Sequence, residues 1–364
     1  MRRIILFGGS FDPIHNGHID MAKRAKEAVN ADEVIFILAK NPRWKSPTSD
    51  VQARLDMLRL AVQKVNGFSI SLYEVDSDAE TNYSIDTALH FREIYPNAEL
   101  FTLIGFDEVA LFPKWKEAEK LAATVHILAY GRPGYPLDKE VVSKYQMTLV
   151  EGPVSDAASN QIRELKQAKT PIEVLDYIAQ NGLYYMKTIR RYINGRRLEH
   201  SLSVARLAYA IAEHNGMDTG RAYIAGILHD IGKEESHAEK MELLKAYYPN
   251  PEELPTFSFH QFAGALIAEK EFGITDAEII DAIRYHATGK ANMLPLGMII
   301  YAADKIEPTR GFDSKDLIEG CLADYKQGFI NVLQANRDFL IGKKKDIYNP
   351  LTQACMAMYL GEKK

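Results

Sequence analysis

Cysteine is nearly absent from this chain: Cys321 and Cys355 are the only two in 364 residues, and they have neither metal-knuckle nor redox spacing. That excludes a disulfide framework and a cysteine-rich zinc knuckle, and it points to a reducing compartment. Long apolar runs are lacking too, so no stretch reaches the length needed to cross a bilayer. The opening Met1-Arg2-Arg3-Ile4 passes straight into a short strand pattern and leaves no room for a signal peptide. A cytoplasmic protein is expected. Charge of one sign is also scarce. The formal net charge is −5, which gives no argument for a nucleic-acid or membrane surface. No internal repeat, low-complexity tract or Pro/Ser-rich linker appears.

What is present falls into two textures. A chain of 364 residues exceeds one ordinary core, so two domains are expected. Over residues 1–185, strand-like runs at 4–7, 33–38, 68–75, 100–104, 125–130 and 147–149 alternate with helical patterns at 17–29, 51–65, 84–94 and 116–122. Alternation of this kind predicts an α/β Rossmann-like domain with a parallel sheet. Residues 187–364 lose the β-branched runs and repeat helical patterns instead, at 200–215, 219–229, 238–247, 260–272, 277–284, 298–306 and 314–335. They predict an all-α domain.

The most informative stretch is Gly8-Gly9-Ser10-Phe11-Asp12-Pro13-Ile14-His15-Asn16-Gly17-His18, set between the first strand pattern and the first helix. A strand, a glycine turn and a helix start aim backbone N–H groups and a helix dipole at phosphate. His15 and His18, three apart at the helix start, share a face and add donors there. Nucleotidyl transfer needs no protein nucleophile. It needs phosphates held in line and fixed donors for the developing charge.

At these residues the sequence resembles the H-x-G-H nucleotidyltransferases, and within them the nicotinate-mononucleotide adenylyltransferases. The resemblance extends through Asn41–Lys45, Arg54–Met57, Tyr83–Thr87, Leu103–Asp107, Trp115, Arg132–Gly134, Ile162-Arg163 and Asn181–Tyr184. It implies transfer of AMP from ATP, accompanied by Mg²⁺, to nicotinate mononucleotide. His15 and His18 would bind the ATP phosphates, with His18 acting in the transition state, and Gly8, Gly9, Ser10 and Phe11 would line the same pocket. Gly105, Asp107 and Arg132 would face the nucleotide, Lys45 a phosphate, and Ser159, Ile162 and Arg163 the outer phosphates. Thr87, Trp115 and Asp12 would contact the nicotinate nucleotide. In this chain Ala157-Ala158-Ser159-Asn160-Gln161 stands where the family has a serine/threonine cluster, and Trp44 where it has a histidine. Other H-x-G-H transferases, acting on phosphopantetheine or choline phosphate, are the alternative.

In the helical half, His200, His229-Asp230, His260, His286 and Asp304 fall in helical segments. Imidazoles with carboxylates suit Fe, Mn, Mg or a similar divalent ion, and the lack of cysteine among them argues against a closed structural zinc site. These residues resemble the HD superfamily of metal-dependent phosphohydrolases. The resemblance implies that His200, His229, Asp230 and Asp304 hold one metal and that His260 and His286 complete a second position. Asp230 would take part in catalysis and Lys233 would face the phosphates. Arg284–Gly289 and Ala302–Arg310 resemble the bacterial HD-type dinucleoside tetraphosphatases, which split diadenosine tetraphosphate into two ADP, although Ala287 replaces a usual threonine. A regulatory HD module without turnover, or one acting on an alarmone or another nucleotide, is the alternative. ATP, nicotinate mononucleotide and a dinucleoside polyphosphate are thus the expected partners, without nucleic acid or membrane and with a possible homo-oligomer.

Overall fold

The computed structural model describes residues 1–40, 47–79, 81–254, 256–343 and 349–361. The chain divides into two compact units. One comprises residues 1–162 with 169–177, and the other 163–168 with 178–364. No helix among the described residues is long and apolar enough to cross a membrane.

The first unit is built on six parallel strands, β1 (Arg3–Gly9), β2 (Glu33–Leu38), β3 (Phe68–Ser71), β4 (Glu99–Gly105), β5 (His126–Tyr130) and β6 (Thr148–Val150), in the order β3-β2-β1-β4-β5-β6. Ile4, Ile5, Leu6 and Phe7 of β1 are all buried, as a central parallel strand covered on both faces requires. The strand order reverses direction between β1 and β4, and the crevice beyond such a point is where ligands sit in open α/β sheets. Leu6 pairs with Thr102, so Gly9 and Gly105, each three residues further on, end their strands at the same level.

Two expected elements differ. The strand predicted over 68–75 stops at Ser71, because its neighbour β2 ends at Leu38 and the last pair is Ile37 with Ser71. The Ser71 hydroxyl oxygen then accepts the Tyr73 N–H at 3.2 Å, and the chain turns into the short Tyr73–Asp76 helix. The helix predicted from 116 begins at Ala118, after Glu117 takes a left-handed φ of 50°.

The second unit is helical throughout. The Gly195–His214 and Thr219–Leu228 helices pack closely because Gly226 lacks a side chain: a Cβ there would stand 2.6 Å from the α-carbon of Ala205. The single helix predicted over 314–335 is two, Lys315–Ala323 and Tyr325–Gly342. Asp324 leaves the helical region and its carboxylate accepts the N–H groups of Lys326 and Gln327, capping the second helix.

Candidate functional sites

The loop after β1 is held from several directions. Phe11 adopts a left-handed φ of 46°, which folds its ring over Gly9, where a Cβ would lie 2.8 Å from the ring. No heavy atom lies within 4 Å of a Cβ built on Gly8, so that glycine leaves the backbone open to approach. From the Val51–Val62 helix, the Arg54 guanidinium donates to the carbonyls of Ser10, Ala39 and Lys40 at 3.0, 2.7 and 3.0 Å, although the residue is only 1% exposed. It clamps the loop to the end of β2. On the other side the Thr170 hydroxyl donates to the Ile14 carbonyl at 2.8 Å, and the Asn16 N–H to the Lys169 carbonyl at 3.0 Å.

His15 caps the Asn16–Ala28 helix and His18 lies in its first turn. Their rings stack with centroids 3.6 Å apart, and the His15 N–H donates to His18 Nδ1 at 3.3 Å. An imidazole whose Nδ1 accepts carries its proton on Nε2 when neutral, so His18 presents an Nε2–H donor. Burial, reinforced by the Arg132 charge, pushes His15 down to about 3 and keeps it neutral. Phe11 meets the His18 ring edge-on at 5.2 Å and fixes its plane.

Across the crevice, Gly105 ends β4, and the Asp107 carboxylate folds back over it to pair with Arg132. A Cβ at 105 would collide with that carboxylate. Trp115 is half-buried against Phe112, ring centroids 5.2 Å apart.

The other residues expected to touch the nucleotides have partners or positions within the protein as follows. Asp12 is 5% exposed, and its carboxylate accepts from the Thr48 N–H at 2.7 Å and from the Ser49 N–H and hydroxyl, so it shapes the loop. The Thr87 hydroxyl donates to Glu74 Oε1 at 2.8 Å, and burial raises the Glu74 carboxyl. Ser159 gives its hydroxyl proton to the Pro13 carbonyl at 2.9 Å. Ile162 is fully buried and its N–H serves the Ala158 carbonyl. Arg163 ends the Ser159–Arg163 helix and falls in the second unit. Lys45 and Trp44 lie outside the described residues.

The second unit brings all six predicted ligands together. His200 comes from the Gly195–His214 helix, and His229 with Asp230 from the end of Thr219–Leu228. His260 belongs to Phe259–Glu271, His286 caps Ala277–Tyr285, and Asp304 lies in Pro295–Ile306. The Nε2 atoms of His200 and His229 are 3.2 Å apart, and Asp304 Oδ1 lies 3.2 and 3.7 Å from them. The Nε2 atoms of His260 and His286 are 3.3 Å apart, each 3.4 Å from Asp230 Oδ1. Two overlapping sets, His200-His229-Asp304 and His229-Asp230-His286, each hold their ligand atoms within 4.8 Å of one another.

The reverse sides of the rings decide what this cluster suits. Nδ1 of His229, His260 and His286 lies 2.7, 2.9 and 2.7 Å from the carbonyls of Gly226, Phe257 and Ile283, and that of His200 lies 2.9 Å from Glu307 Oε1. Each Nδ1 therefore carries the proton, and in neutral rings the four Nε2 lone pairs face one another around carboxylates. Lone pairs converging on acceptors are repulsive alone and are satisfied by a cation; nitrogen–metal bonds of about 2.1 Å fit these separations. Burial opposes ionisation of Asp230 and Asp304. The facing His229, His286 and Lys233 outweigh it for Asp230, and Lys305, His200 and His229 for Asp304, so both stay well below the usual carboxylate range. Burial, with the neighbouring His286 and Lys233, holds His260 at about 2.

Cations ring the cluster. Arg197 donates to Asp230 Oδ2 at 2.7 Å, Lys305 to Asp304 Oδ2 at 2.8 Å, and Arg310 to Asp304 Oδ1. Lys233 points inward, 3.1 Å from His260 Nε2. Four cations around three carboxylates, Glu307 included, still leave an excess positive charge suited to a polyanion. Gln261, buried in the same helix as His260, accepts the N–H groups of Ala287 and Thr288 at 3.0 and 3.3 Å and holds the His286 turn. The sequence analysis assigned no role to Gln261, Glu307 or Arg54, and it placed Asp107 and Arg132 at the nucleotide without pairing them. A signal existed for Arg54, which shares the apolar stripe of its helix with Met57, Leu58 and Ala61.

A cytidylyltransferase-like family model matches residues 6–165 and an HD domain model residues 197–309. A probable nicotinate-nucleotide adenylyltransferase/Ap4A hydrolase of Mycoplasma pneumoniae is 33% identical over 335 residues, covering 89% of this chain and 96% of the relative. The protein of the same description from Mycoplasma genitalium is 31% identical over 347 residues, 92% of this chain and 97% of its own. A probable nicotinate-nucleotide adenylyltransferase of Thermus thermophilus is 37% identical over 188 residues, 50% of this chain and 99% of that relative. With both models matched and the two Mycoplasma relatives aligned nearly end to end, the chain belongs to the nicotinate-nucleotide adenylyltransferase/Ap4A hydrolase family and carries a cytidylyltransferase-like and an HD domain.

Proposed function

We propose that the chain is a bifunctional enzyme. Residues 1–185 transfer AMP from ATP to nicotinate mononucleotide, giving deamido-NAD and pyrophosphate, and residues 187–364 hydrolyse diadenosine tetraphosphate to two ADP. The names of the two Mycoplasma relatives support both halves of the reading.

In the first half, a phosphate oxygen of the mononucleotide displaces pyrophosphate from the α-phosphorus of ATP, which arrives with Mg²⁺. The positive end of the Asn16–Ala28 helix dipole and the His18 Nε2–H would serve the negative charge that grows there. Neutral His15 holds the His18 ring and its tautomer. Gly8 keeps the backbone free of any Cβ where the phosphates would pass. Arg132, released from Asp107, adds a cation for the phosphates and frees that carboxylate for a ribose hydroxyl.

In the second half, the observation that carries the reading is the convergence of four Nε2 atoms and two carboxylates, each ring tied back through Nδ1. His200, His229, Asp230 and Asp304 would hold one divalent ion, Fe, Mn or Mg, and His260 with His286 would complete a second position. Such ions supply an activated water and offset phosphate charge. Arg197, Lys233, Lys305 and Arg310 bind and orient the oligophosphate. The test is turnover: ATP with nicotinate or nicotinamide mononucleotide, and separately diadenosine tetraphosphate against other nucleotides. Preference for the acid mononucleotide and release of ADP alone are expected. Absence of either product removes that half of the proposal.

A further inference from the structure

Three of the four clustered histidines are oriented locally. His229, His260 and His286 each turn Nδ1 to the carbonyl three residues earlier. His200, inside the Gly195–His214 helix, instead turns Nδ1 to an acceptor from elsewhere in the chain. That acceptor is the Glu307 carboxylate, 107 residues along the chain. Glu307 is 1% exposed, and its oxygens also accept the Thr309 N–H and hydroxyl, both at 2.7 Å. It caps the Pro308–Arg310 turn, whose Arg310 reaches back to the Asp304 carbonyl at 2.7 Å and to its carboxylate. One turn thus grips two of the cluster's ligands from behind.

We propose that Glu307 is a positioning residue of the second site: its buried carboxylate fixes the Nδ1–H tautomer of His200, aims Nε2 into the cluster, and strengthens that nitrogen as a metal ligand. The proposal rests on the reading that the second site holds a divalent cation. A carboxylate behind a ligating imidazole increases its basicity more than a neutral carbonyl does, and loss of such a partner typically weakens metal binding about 10–100-fold. His200 is therefore set apart from the other three rings by what stands behind it.

The test uses the full chain stripped by a chelator and titrated with Mn²⁺ by calorimetry, then with Co²⁺ to read its visible absorption. Glu307→Gln keeps the shape and an acceptor oxygen but removes the charge. It is expected to weaken Mn²⁺ about tenfold and shift the Co²⁺ band, with the melting temperature of the stripped protein unchanged. Glu307→Ala is expected to weaken Mn²⁺ toward the upper end of that range. If the alanine variant fails to fold, the glutamine variant decides. Wild-type affinity and an unshifted Co²⁺ band in Glu307→Gln would overturn the proposal while leaving the metal reading intact. A wild-type protein that binds neither ion would overturn both.

Discussion

Nδ1 of His18 accepts the backbone N–H of His15 at 3.3 Å, while the two rings stack 3.6 Å apart. The contact uses His15 as a scaffold and places the proton of neutral His18 on Nε2. His18→Ala should reduce the rate constant for deamido-NAD formation about 10²–10³-fold, the range seen when one transition-state donor is removed. Its KM for ATP should change much less. Steady-state kinetics decide it, and a loss confined to KM would mean that His18 only binds substrate.

The burial of His15 predicts a pH effect on stability. Its pKa is about 3 when folded and 6.5 when exposed, so the unfolded chain binds more protons between those values. The stabilisation is fully present above pH 6.5 and is lost as pH falls toward 3. At pH 5 the loss attributable to His15 is about 2 kcal/mol. Both tryptophans, Trp44 and Trp115, lie in the first half, so urea unfolding followed by tryptophan fluorescence reports on that half. His15→Asn should flatten the pH 7 to pH 5 difference. A variant with the full wild-type difference would show that another group causes it.

Arg54 should matter for stability through the loop it holds. Arg54→Ala leaves the Ser10, Ala39 and Lys40 carbonyls without their donor and opens a buried space. A cost of about 3–5 kcal/mol is expected, comparable to breaking a buried charged network. The same fluorescence transition measures it, and a loss below about 1 kcal/mol would contradict the clamp.

Gly232 predicts a lesion that reaches the cluster through the backbone. A Cβ there would stand 2.7 Å from the Gly264 N and 2.8 Å from the His260 carbonyl oxygen, neither of which can rotate away. Gly232→Ala should displace the His260 helix, cost about 1–3 kcal/mol as overpacking does, and lower metal affinity. Calorimetric Mn²⁺ titration beside a thermal melt checks both, and unchanged affinity would show that the displacement stops short of His260.

The sequence made legible those elements whose periodicity and chemistry coincide. Ile4–Phe7, the glycine turn and the His15/His18 pair form one continuous signal, and the structure places them at the reversal of strand order. The six clustered histidines and aspartates were legible by residue type, since histidines with aspartates in helical segments are a poor use of a core. Side chains that hold other side chains left less trace. Glu307 and Arg310 carry the family pattern in sequence but no stated role, which only the Pro308–Arg310 turn gives them by folding them onto His200 and Asp304. Ser159 and Thr87 look like substrate hydroxyls, but whether a hydroxyl proton is free depends on the carbonyl or carboxylate that folding brings beside it. The break at Asp324 was hidden because the apolar pattern runs on either side, and only the capping geometry separates the two helices.

The central claim is that one chain carries two chemistries with separate residues, the second dependent on a divalent metal. The most direct measurement assays wild type, His18→Ala and the double variant His229→Ala/Asp230→Ala for both reactions. ADP release from diadenosine tetraphosphate is followed after chelation and again after Mn²⁺ is restored. The account predicts that His18→Ala loses deamido-NAD formation and keeps metal-dependent ADP release, while the double variant does the reverse. Loss of both activities in either variant, or wild-type ADP release that survives chelation, would contradict it.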